Sequence, residues 1–255
     1  MLAGRNTKQV VKALTEKQHY IALFNMVKNY PNFFDNLNRY LTGEGNYPYN
    51  ILIKTPMGII APTIYSYHDM LTVNEVFCRI DYPADKSIKV VVDIGSNIGL
   101  SALYFLTQSN QSKCYLFEPD HRNFDKLLKN LCDYKNRYKL VTKAVSNKKG
   151  VFDFGIEETG RYGGIGLKNK ENIKVDSLNI NHVLSEILSV EKSIDILKVD
   201  IEGLEEETIN SIHGKYLNKI KRIYFESTPK INFFPNNFNQ SQYGSVCQLI
   251  NKILI

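Results

Sequence analysis

The spacing of apolar positions changes near Lys89. Beyond this residue, runs with strand spacing alternate with runs with helical spacing. Two of the strand runs, residues 90–94 and 194–199, are almost continuously apolar, as expected of parallel strands that are covered on both faces. The alternation predicts an α/β fold with a doubly wound, mostly parallel sheet and right-handed crossovers. The segments that carry the predicted strands are 89–106, 114–134, 138–146, 151–157, 172–178, 194–212 and 221–227.

The chain before Lys89 begins with helical spacing. Residues 7–41 carry this pattern in pieces, and Pro31 interrupts it. Each piece has an apolar stripe at helical spacing. The two stripes consist of Ile21, Phe24 and Val27–Lys28, and of Phe33, Phe34, Leu37 and Leu41.

A hairpin and a short helix are predicted between these helices and the α/β part. Two β-branched runs flank Pro56-Met57-Gly58, where glycine permits the positive φ of a turn. Residues 69–78 have the pattern of a short amphipathic helix. We therefore expect a helical extension at 1–48, a hairpin and helix at 49–88, and a Rossmann-like α/β domain at 89–255.

Composition excludes several classes of protein. The chain has 255 residues, of which 43% are hydrophobic and 23% charged, as in ordinary globular proteins rather than disordered or collagen-like chains. It contains no run of 18 uncharged apolar residues and no apolar signal segment at its start, so we expect no membrane span and a cytoplasmic location. The net charge of +6 comes from dispersed lysines, which indicates a solvated surface rather than a nucleic-acid footprint. The four cysteines show no C-x-x-C spacing and are interpreted as reduced, not as a zinc site.

The first predicted strand of the α/β part ends in a glycine turn, Asp93-Ile94-Gly95-Ser96-Asn97-Ile98-Gly99. In doubly wound sheets, ligands bind beyond the carboxyl ends of the strands, at the switch point beside the first strand. Leu100 stands where a dinucleotide-binding turn has its third glycine, and Asp93 would repel a pyrophosphate. A carboxylate there suits a ligand that carries an ammonium and a sulfonium. The turn therefore favours S-adenosylmethionine over NAD.

An acidic residue also ends the second predicted strand. Glu118 follows Gly95 by 23 residues and can accept hydrogen bonds from both hydroxyls of a ribose. A single acid after a strand is most often a turn or cap residue. Acids after the first two strands, together with the glycine turn, are a more specific indication of a nucleoside cofactor.

These residues lie in segments that resemble the FkbM family of S-adenosylmethionine-dependent methyltransferases. The resemblance runs from about Ile51 to Val246 and does not extend to the first ~45 residues. It implies a Rossmann-like class I methyltransferase fold and transfer of a methyl group to the hydroxyl of a sugar, a glycan or a natural product. The similar segments are VVVDIGSNIG, YLFEPD, AVSNKKG, DILKVDIEG, IYFES and YSYHDMLTVNEVF.

The resemblance also implies roles for residues in these segments. The glycine turn would hold the methionine part of the cofactor, Glu118 would hold the ribose, and the side chains around them would line the adenine pocket. The residues implied in cofactor binding are Asp93, Gly95, Ser96, Asn97, Gly99, Glu118, Pro119, Asp120, Ala144, Val145, Asp200, Thr72 and Glu75.

Deprotonation of an acceptor hydroxyl requires a base. Asp200 is the first candidate, because it directly follows the strand run at 194–199 and, as the resemblance implies, would face the reactive end of the cofactor. Glu202 and Glu226 are the next candidates, although Glu202 is equally explained as an acid at a helix N-terminus. His68, next to Asp69, is a weaker candidate, since a lone loop histidine is more often a hydrogen-bonded structural residue.

Two further features concern the acceptor and a metal. Arg161-Tyr162-Gly163-Gly164 in the glycine-rich loop could clamp the acceptor, or could simply be a hairpin tip. Asp200 and Glu226 are a partial set for Mg²⁺, but Glu226 is followed by Ser227 and Thr228 instead of a second acidic pair. We therefore predict no metal.

Two alternatives remain at this point. The chain could methylate bases of RNA or DNA, although it has DIEG where a base-amino methylase carries a tetrad of the N-P-P-Y type. It could also be a catalytically silent binding module that keeps the fold. The expected partners are a small-molecule or glycan acceptor, with no nucleic acid and no membrane; the N-terminal helices could cap the active site or pair two subunits.

Overall fold

The apolar runs after Lys89 form the strands of a seven-stranded sheet in the computed structural model, which describes residues 17–156, 163–165 and 171–254. The strands are β5 (Val90–Ile94), β6 (Lys113–Phe117), β7 (Tyr138–Val141), β12 (Ile194–Val199), β13 (Ile220–Glu226), β14 (Phe238–Tyr243) and β15 (Val246–Asn251). Their order in the sheet is β14-β15-β13-β12-β5-β6-β7. Strands β5, β6, β7, β12 and β13 are parallel, whereas β14 and β15 pair antiparallel at one edge. The predicted doubly wound, mostly parallel α/β fold is confirmed.

Strand β5 is the switch point of this sheet. The chain proceeds from β5 to β6 and β7 on one side, and then returns to β12 and β13 on the other. Every residue of β5 and β12 is buried, which explains their nearly continuous apolar sequences. The helices of this part are α4 (Leu100–Gln108), α5 (His121–Asn130), α6 (Ile180–Val190), α7 (Glu205–Asn210) and α8 (Gly214–Leu217), and a 3₁₀-helix covers Cys132–Arg137.

The third predicted strand, residues 138–146, is wrong as a single strand. Residues 138–141 form β7 in the large sheet, whereas Ala144–Ser146 form β8 in a second sheet. Strand β8 pairs in parallel with residues 177–179, outside the large sheet. The other strands of the second sheet are β9 (Gly150–Ile156), β10 (Gly163–Ile165) and β11 (Glu171–Asn179), and the order is β10-β9-β11-β8.

The chain divides into two compact units, Met1–Pro83 and Ala84–Ile255, and the first contains short strands and helices. The described elements of this unit are α1 (Lys17–Asn29), α2 (Phe33–Thr42), β1 (Tyr49–Asn50), β2 (Ile53–Thr55), β3 (Gly58–Ile60), β4 (Thr63–Ile64), α3 (Tyr67–Val73) and a π-helix (Asn74–Arg79). Strands β2 and β3 form the predicted hairpin around residues 56–57. The helix predicted at 69–78 is an α-helix followed directly by the π-helix.

The apolar stripe that indicated helix α1 is not the buried face of that helix. Ala22 and Met26 are the buried residues of this helix, whereas Phe24 is 70% and Val27 57% exposed. Both faces of α1 carry apolar residues at helical spacing, so the periodicity alone could not choose between them. Packing against the π-helix region decided the orientation, since the Asn25 and Asn29 amides donate to backbone oxygens there.

Candidate active site

The glycine turn after β5 packs tightly on the loop after β12. A Cβ atom on Gly95 would lie 1.8 Å from the backbone oxygen of Asp200, and Gly95 has a φ of +82°. The backbone N–H of Asp200 donates to the oxygen of Ile94 at 3.0 Å. Gly95 is therefore required where the turn after β5 crosses the loop after β12.

The turn continues into α4 through two residues with positive φ. Asn97 has a φ of +48° and Gly99 a φ of +84°. Ser96 is buried, and its hydroxyl donates to the oxygen of Asp93 at 2.8 Å. A Cβ atom on Gly99 would come within 3.1 Å of Leu127, so this glycine permits close packing of the turn on α5.

Asp93 lies below the turn and does not reach the surface. Its side chain is 0% exposed, and its two oxygens bind Lys198 Nζ at 3.1 Å and Ser101 Oγ at 2.6 Å. Burial raises the pKa of Asp93, while Lys198 and Ser101 act in the opposite direction. The residue thus anchors the turn from inside the protein.

Glu118 joins the turns that follow β5 and β6. One carboxylate oxygen accepts the backbone N–H of Asn97 at 2.8 Å, and the other accepts the backbone N–H of Asp120 at 2.9 Å. Burial raises the pKa of Glu118 to about 7, although these backbone donors favour its charged form. The oxygen that accepts from Asp120 also accepts the side-chain amide of Asn123 at 3.4 Å, so the oxygen bound to Asn97 is the one that retains a lone pair for a ligand hydroxyl.

The loop after β12 places Asp200 and Glu202 before α7 rather than in it. Glu202 has a φ of +56°, and α7 begins only at Glu205, so Glu202 is not an acid of the helix N-terminus. The side chain of Glu205 shapes this loop by accepting the backbone N–H groups of Ile201 at 2.9 Å and Gly203 at 2.8 Å. Asp200 keeps 26% of its side chain exposed and contacts Lys198 Nζ at 3.2 Å.

Glu226 ends β13, next to β12 in the sheet. The surrounding protein raises the pKa of Glu226, and the Asp200 carboxylate raises it further, even though part of the Glu226 side chain is exposed. A like charge nearby disfavours the ionised form of a carboxyl group, which is the direction of the effect that Asp200 has on Glu226. Asp200 and Glu226 therefore form an electrostatically linked pair at the ends of adjacent strands.

Four of the residues implied in cofactor binding, Pro119, Asp120, Ala144 and Val145, lie after β6 and in β8. Pro119 lines a cleft of about 330 Å³ together with residues of β9 and β11. Asp120 caps α5 by accepting the backbone N–H of Arg122 and pairs with its guanidinium at 2.7 Å. Ala144 and Val145 are buried in β8. Their contact with an adenine remains a prediction.

Three of the predicted site residues belong to the unit Met1–Pro83. His68 and Thr72 lie in α3, and Glu75 lies in the π-helix, 3.7 Å from Arg79. Asp69, which the sequence placed beside His68 as a partner, instead completes a capping box with Ser66. The roles of His68, Thr72 and Glu75 stay predictions.

The predicted acceptor clamp lies partly outside the described residues. Arg161 and Tyr162 are not among them, whereas Gly163 and Gly164 form part of β10, where Gly164 pairs with Gly155 of β9. Among the described ranges, no group of three or more His, Cys, Asp or Glu side chains is arranged to hold a metal ion. No helix in the described part of the chain is long and apolar enough to cross a membrane.

Sequence reasoning missed Lys198, Ser101 and Glu205. Lys198 could have been found from the sequence, because a lysine inside the apolar run IDILKV needs a charged partner if the strand is buried. Ser101 and Glu205 carry no comparable signal. Their roles depend on contacts with Asp93 and with backbone groups that only folding brings near.

Comparison with known proteins identifies the family. A family model described as the methyltransferase FkbM domain matches residues 93–252, more than half of the chain. A search of curated protein sequences found no match.

Several solved structures are similar to the chain. An rRNA methylase from Streptococcus thermophilus has 11% sequence identity, covers 72% of this chain and 95% of its own, and gives a TM-score of 0.38. A methyltransferase from Geobacter sulfurreducens has 14% identity, with coverages of 65% and 72% and a TM-score of 0.38. A precorrin-6y C5,15-methyltransferase from Geobacter metallireducens has 10% identity, with coverages of 67% and 81% and a TM-score of 0.36. Similarities of this extent identify no substrate, whereas the family model is decisive: the chain belongs to the FkbM methyltransferase family.

Proposed function

We propose that the protein is an S-adenosylmethionine-dependent O-methyltransferase that acts on a hydroxyl group of a sugar, a glycan or a natural product. The observation that supports this proposal is the set of acids at the carboxyl ends of four adjacent parallel strands. Asp93, Glu118, Asp200 and Glu226 belong to this set, at the same edge of the sheet as the turn of Gly95.

The charges of these residues suit a cationic cofactor. Asp93, Lys198 and Asp200 contribute two carboxylates and one ammonium, which leaves one net negative charge beside the turn. When bound, S-adenosylmethionine supplies an electrophilic methyl group on a positively charged sulfur. Asp200, with part of its side chain exposed, would face the positive end, and Glu118 would accept the ribose hydroxyls.

The same residues provide a means to handle the acceptor proton. Methyl transfer to a hydroxyl oxygen releases that proton, and a carboxylate within hydrogen-bonding reach can accept it. Glu226 is suited to accept the proton, because its raised pKa makes it a stronger base than an ordinary carboxylate. Asp200 is paired with Lys198, which suits it to orient the hydroxyl.

The first test is calorimetric titration of the protein with S-adenosylmethionine and S-adenosylhomocysteine, with and without EDTA. We expect micromolar binding that EDTA does not change. Absence of binding would favour the silent-module alternative, and binding that EDTA abolishes would contradict a metal-independent site.

A second step tests the acceptor class. Formation of S-adenosylhomocysteine is measured with a panel of monosaccharides, oligosaccharides and hydroxylated natural products, and with total RNA as the competing class. We expect turnover with a hydroxylated small molecule or glycan. Turnover with RNA alone would overturn the proposed acceptor while leaving the methyltransferase assignment intact.

A further inference from the structure

Lys198 is a charged side chain inside the large sheet. Its side chain is 3% exposed, and Lys198 pairs with Asp93 in the register of the parallel strands β12 and β5. Burial of an ammonium group is unfavourable unless it is paired and hydrogen-bonded. A lysine at this buried position is therefore not explained by packing of the core alone.

The Nζ atom of Lys198 contacts three oxygen atoms, one in strand β5, one in the glycine turn and one in the loop after β12. It lies 3.1 Å from Asp93 Oδ1, 3.1 Å from the backbone oxygen of Gly95 and 3.2 Å from Asp200 Oδ2. Burial acts to lower the pKa of Lys198, but Asp93 and Asp200 outweigh it and hold the pKa above its ordinary value. The lysine therefore remains charged and joins the glycine turn to the Asp200 loop.

The two carboxylates that Lys198 binds differ in their surroundings. Asp93 is fully buried and has a second partner in Ser101. Asp200 is partly exposed, so its carboxylate can meet a ligand while it remains bound to Lys198. Lys198 thus has two separate effects: it neutralises the buried Asp93 carboxylate, and it fixes the orientation of the Asp200 carboxylate.

We propose that Lys198 is a positioning residue that holds the Asp200 carboxylate towards the positively charged sulfur of S-adenosylmethionine. This inference rests on the proposed function. It predicts that Lys198 contributes to the preference for S-adenosylmethionine over S-adenosylhomocysteine, because only the former carries the positive charge that Asp200 would face. A purely structural role would affect the binding of both ligands equally.

The test measures the affinities of the full-length protein for both ligands by calorimetry. The key variant is Asp93→Asn combined with Lys198→Met, which removes one negative and one positive charge and so keeps the net charge of the site. The double variant leaves no buried charge at either position, which favours folding. Lys198→Met alone would instead leave the buried Asp93 carboxylate without its ammonium partner. We expect the preference of the double variant for S-adenosylmethionine to fall by about tenfold, or about 1.4 kcal/mol, because the Asp200 carboxylate would keep its charge but lose its fixed orientation.

Two references complete the experiment. Lys221→Met is the matched control, since Lys221 pairs with Asp195 at 2.7 Å near the starts of β13 and β12, at the edge of the sheet away from the candidate site. We expect the preference of this variant for S-adenosylmethionine to stay within about twofold of the wild type. Asp200→Asn should reduce the preference as strongly as the double variant. Combining the double variant with Asp200→Asn should then cause no further loss of preference, because no carboxylate remains to be positioned.

The outcomes separate this inference from the proposed function. If the double variant keeps the wild-type preference between the two ligands, the positioning role is wrong, even if both affinities fall. If the wild-type protein binds neither ligand, the proposed function itself fails and the inference fails with it.

Discussion

Individual carboxylates in this protein have environments that their positions in the sequence do not disclose. Asp93 lies near the end of an apolar strand and Glu118 directly after one, and both were assigned to direct contact with a cofactor. The structure shows Asp93 in a buried ion pair and Glu118 in hydrogen bonds with two backbone N–H groups. Both carboxylates therefore hold the turns around the site in place through contacts with the protein itself. A contact with a ligand would be a second role.

Glu118 makes the stability of the protein dependent on pH. Its pKa is raised from 4.5 to about 7 by burial, so the folded state binds a proton that the unfolded state has already released between these values. The free energy of unfolding therefore decreases as pH rises from about 4.5 to 7, by an amount on the order of 3 kcal/mol from this residue. Glu118→Gln should remove this contribution.

The measurement is urea unfolding of the wild type and the Glu118→Gln variant at pH 5 and pH 8. We expect the variant to gain stability relative to the wild type at the higher pH. Glu207→Gln, at an exposed position of α7, is the control and should follow the wild type at both values. Parallel pH dependence in wild type and Glu118→Gln would contradict the raised pKa.

At the scale of elements, the glycine turn and the loop after β12 form one packed unit. Their backbones cross at Gly95 and Asp200, and side chains of Glu118 and Glu205 bind the backbone on either side of the crossing. The sequence predicted both loops, since each follows an apolar strand and contains glycine. It could not predict their contact, because the two loops are about a hundred residues apart in the chain.

Gly95→Ala and Gly203→Ala test this packing as a matched pair. Both glycines have positive φ, but a Cβ on Gly95 would collide with the Asp200 backbone, whereas a Cβ on Gly203 would meet nothing within 4 Å. We expect Gly95→Ala to cost more than about 3 kcal/mol, through backbone displacement and strain. Gly203→Ala should cost about 1 kcal/mol, from strain alone.

Thermal and urea unfolding of the two variants provides the comparison. Equal losses of stability would show that φ strain dominates and that the loops can separate at little cost. A larger loss for Gly95→Ala would support the close crossing.

At the scale of the whole molecule, the family match falls entirely within the unit Ala84–Ile255. A ligand that binds the folded state at a hundred times its dissociation constant adds about 2.7 kcal/mol to stability. Local opening around the binding site then becomes rarer, and backbone amides there exchange more slowly.

Hydrogen exchange with and without saturating S-adenosylmethionine should locate this effect. We expect slower exchange in residues 93–101, 117–123 and 198–205, which carry the turns and loops of the candidate site. Unchanged exchange in these segments, under conditions in which calorimetry shows binding, would contradict the site. Peptides that contain Thr72 and Glu75 test the sequence prediction for those residues in the same experiment.

The sequence by itself determined the α/β class, the glycine turn and the acids at the strand ends. These features are local: continuous apolar runs specify buried strands, and glycine permits the turns that follow them. Tertiary structure alone decided that 138–146 divides between two sheets, that α1 buries Ala22 and Met26, and that Lys198 lies between Asp93 and Asp200. Each of these outcomes depends on partners distant in the chain, which the spacing of residues along one segment cannot reveal.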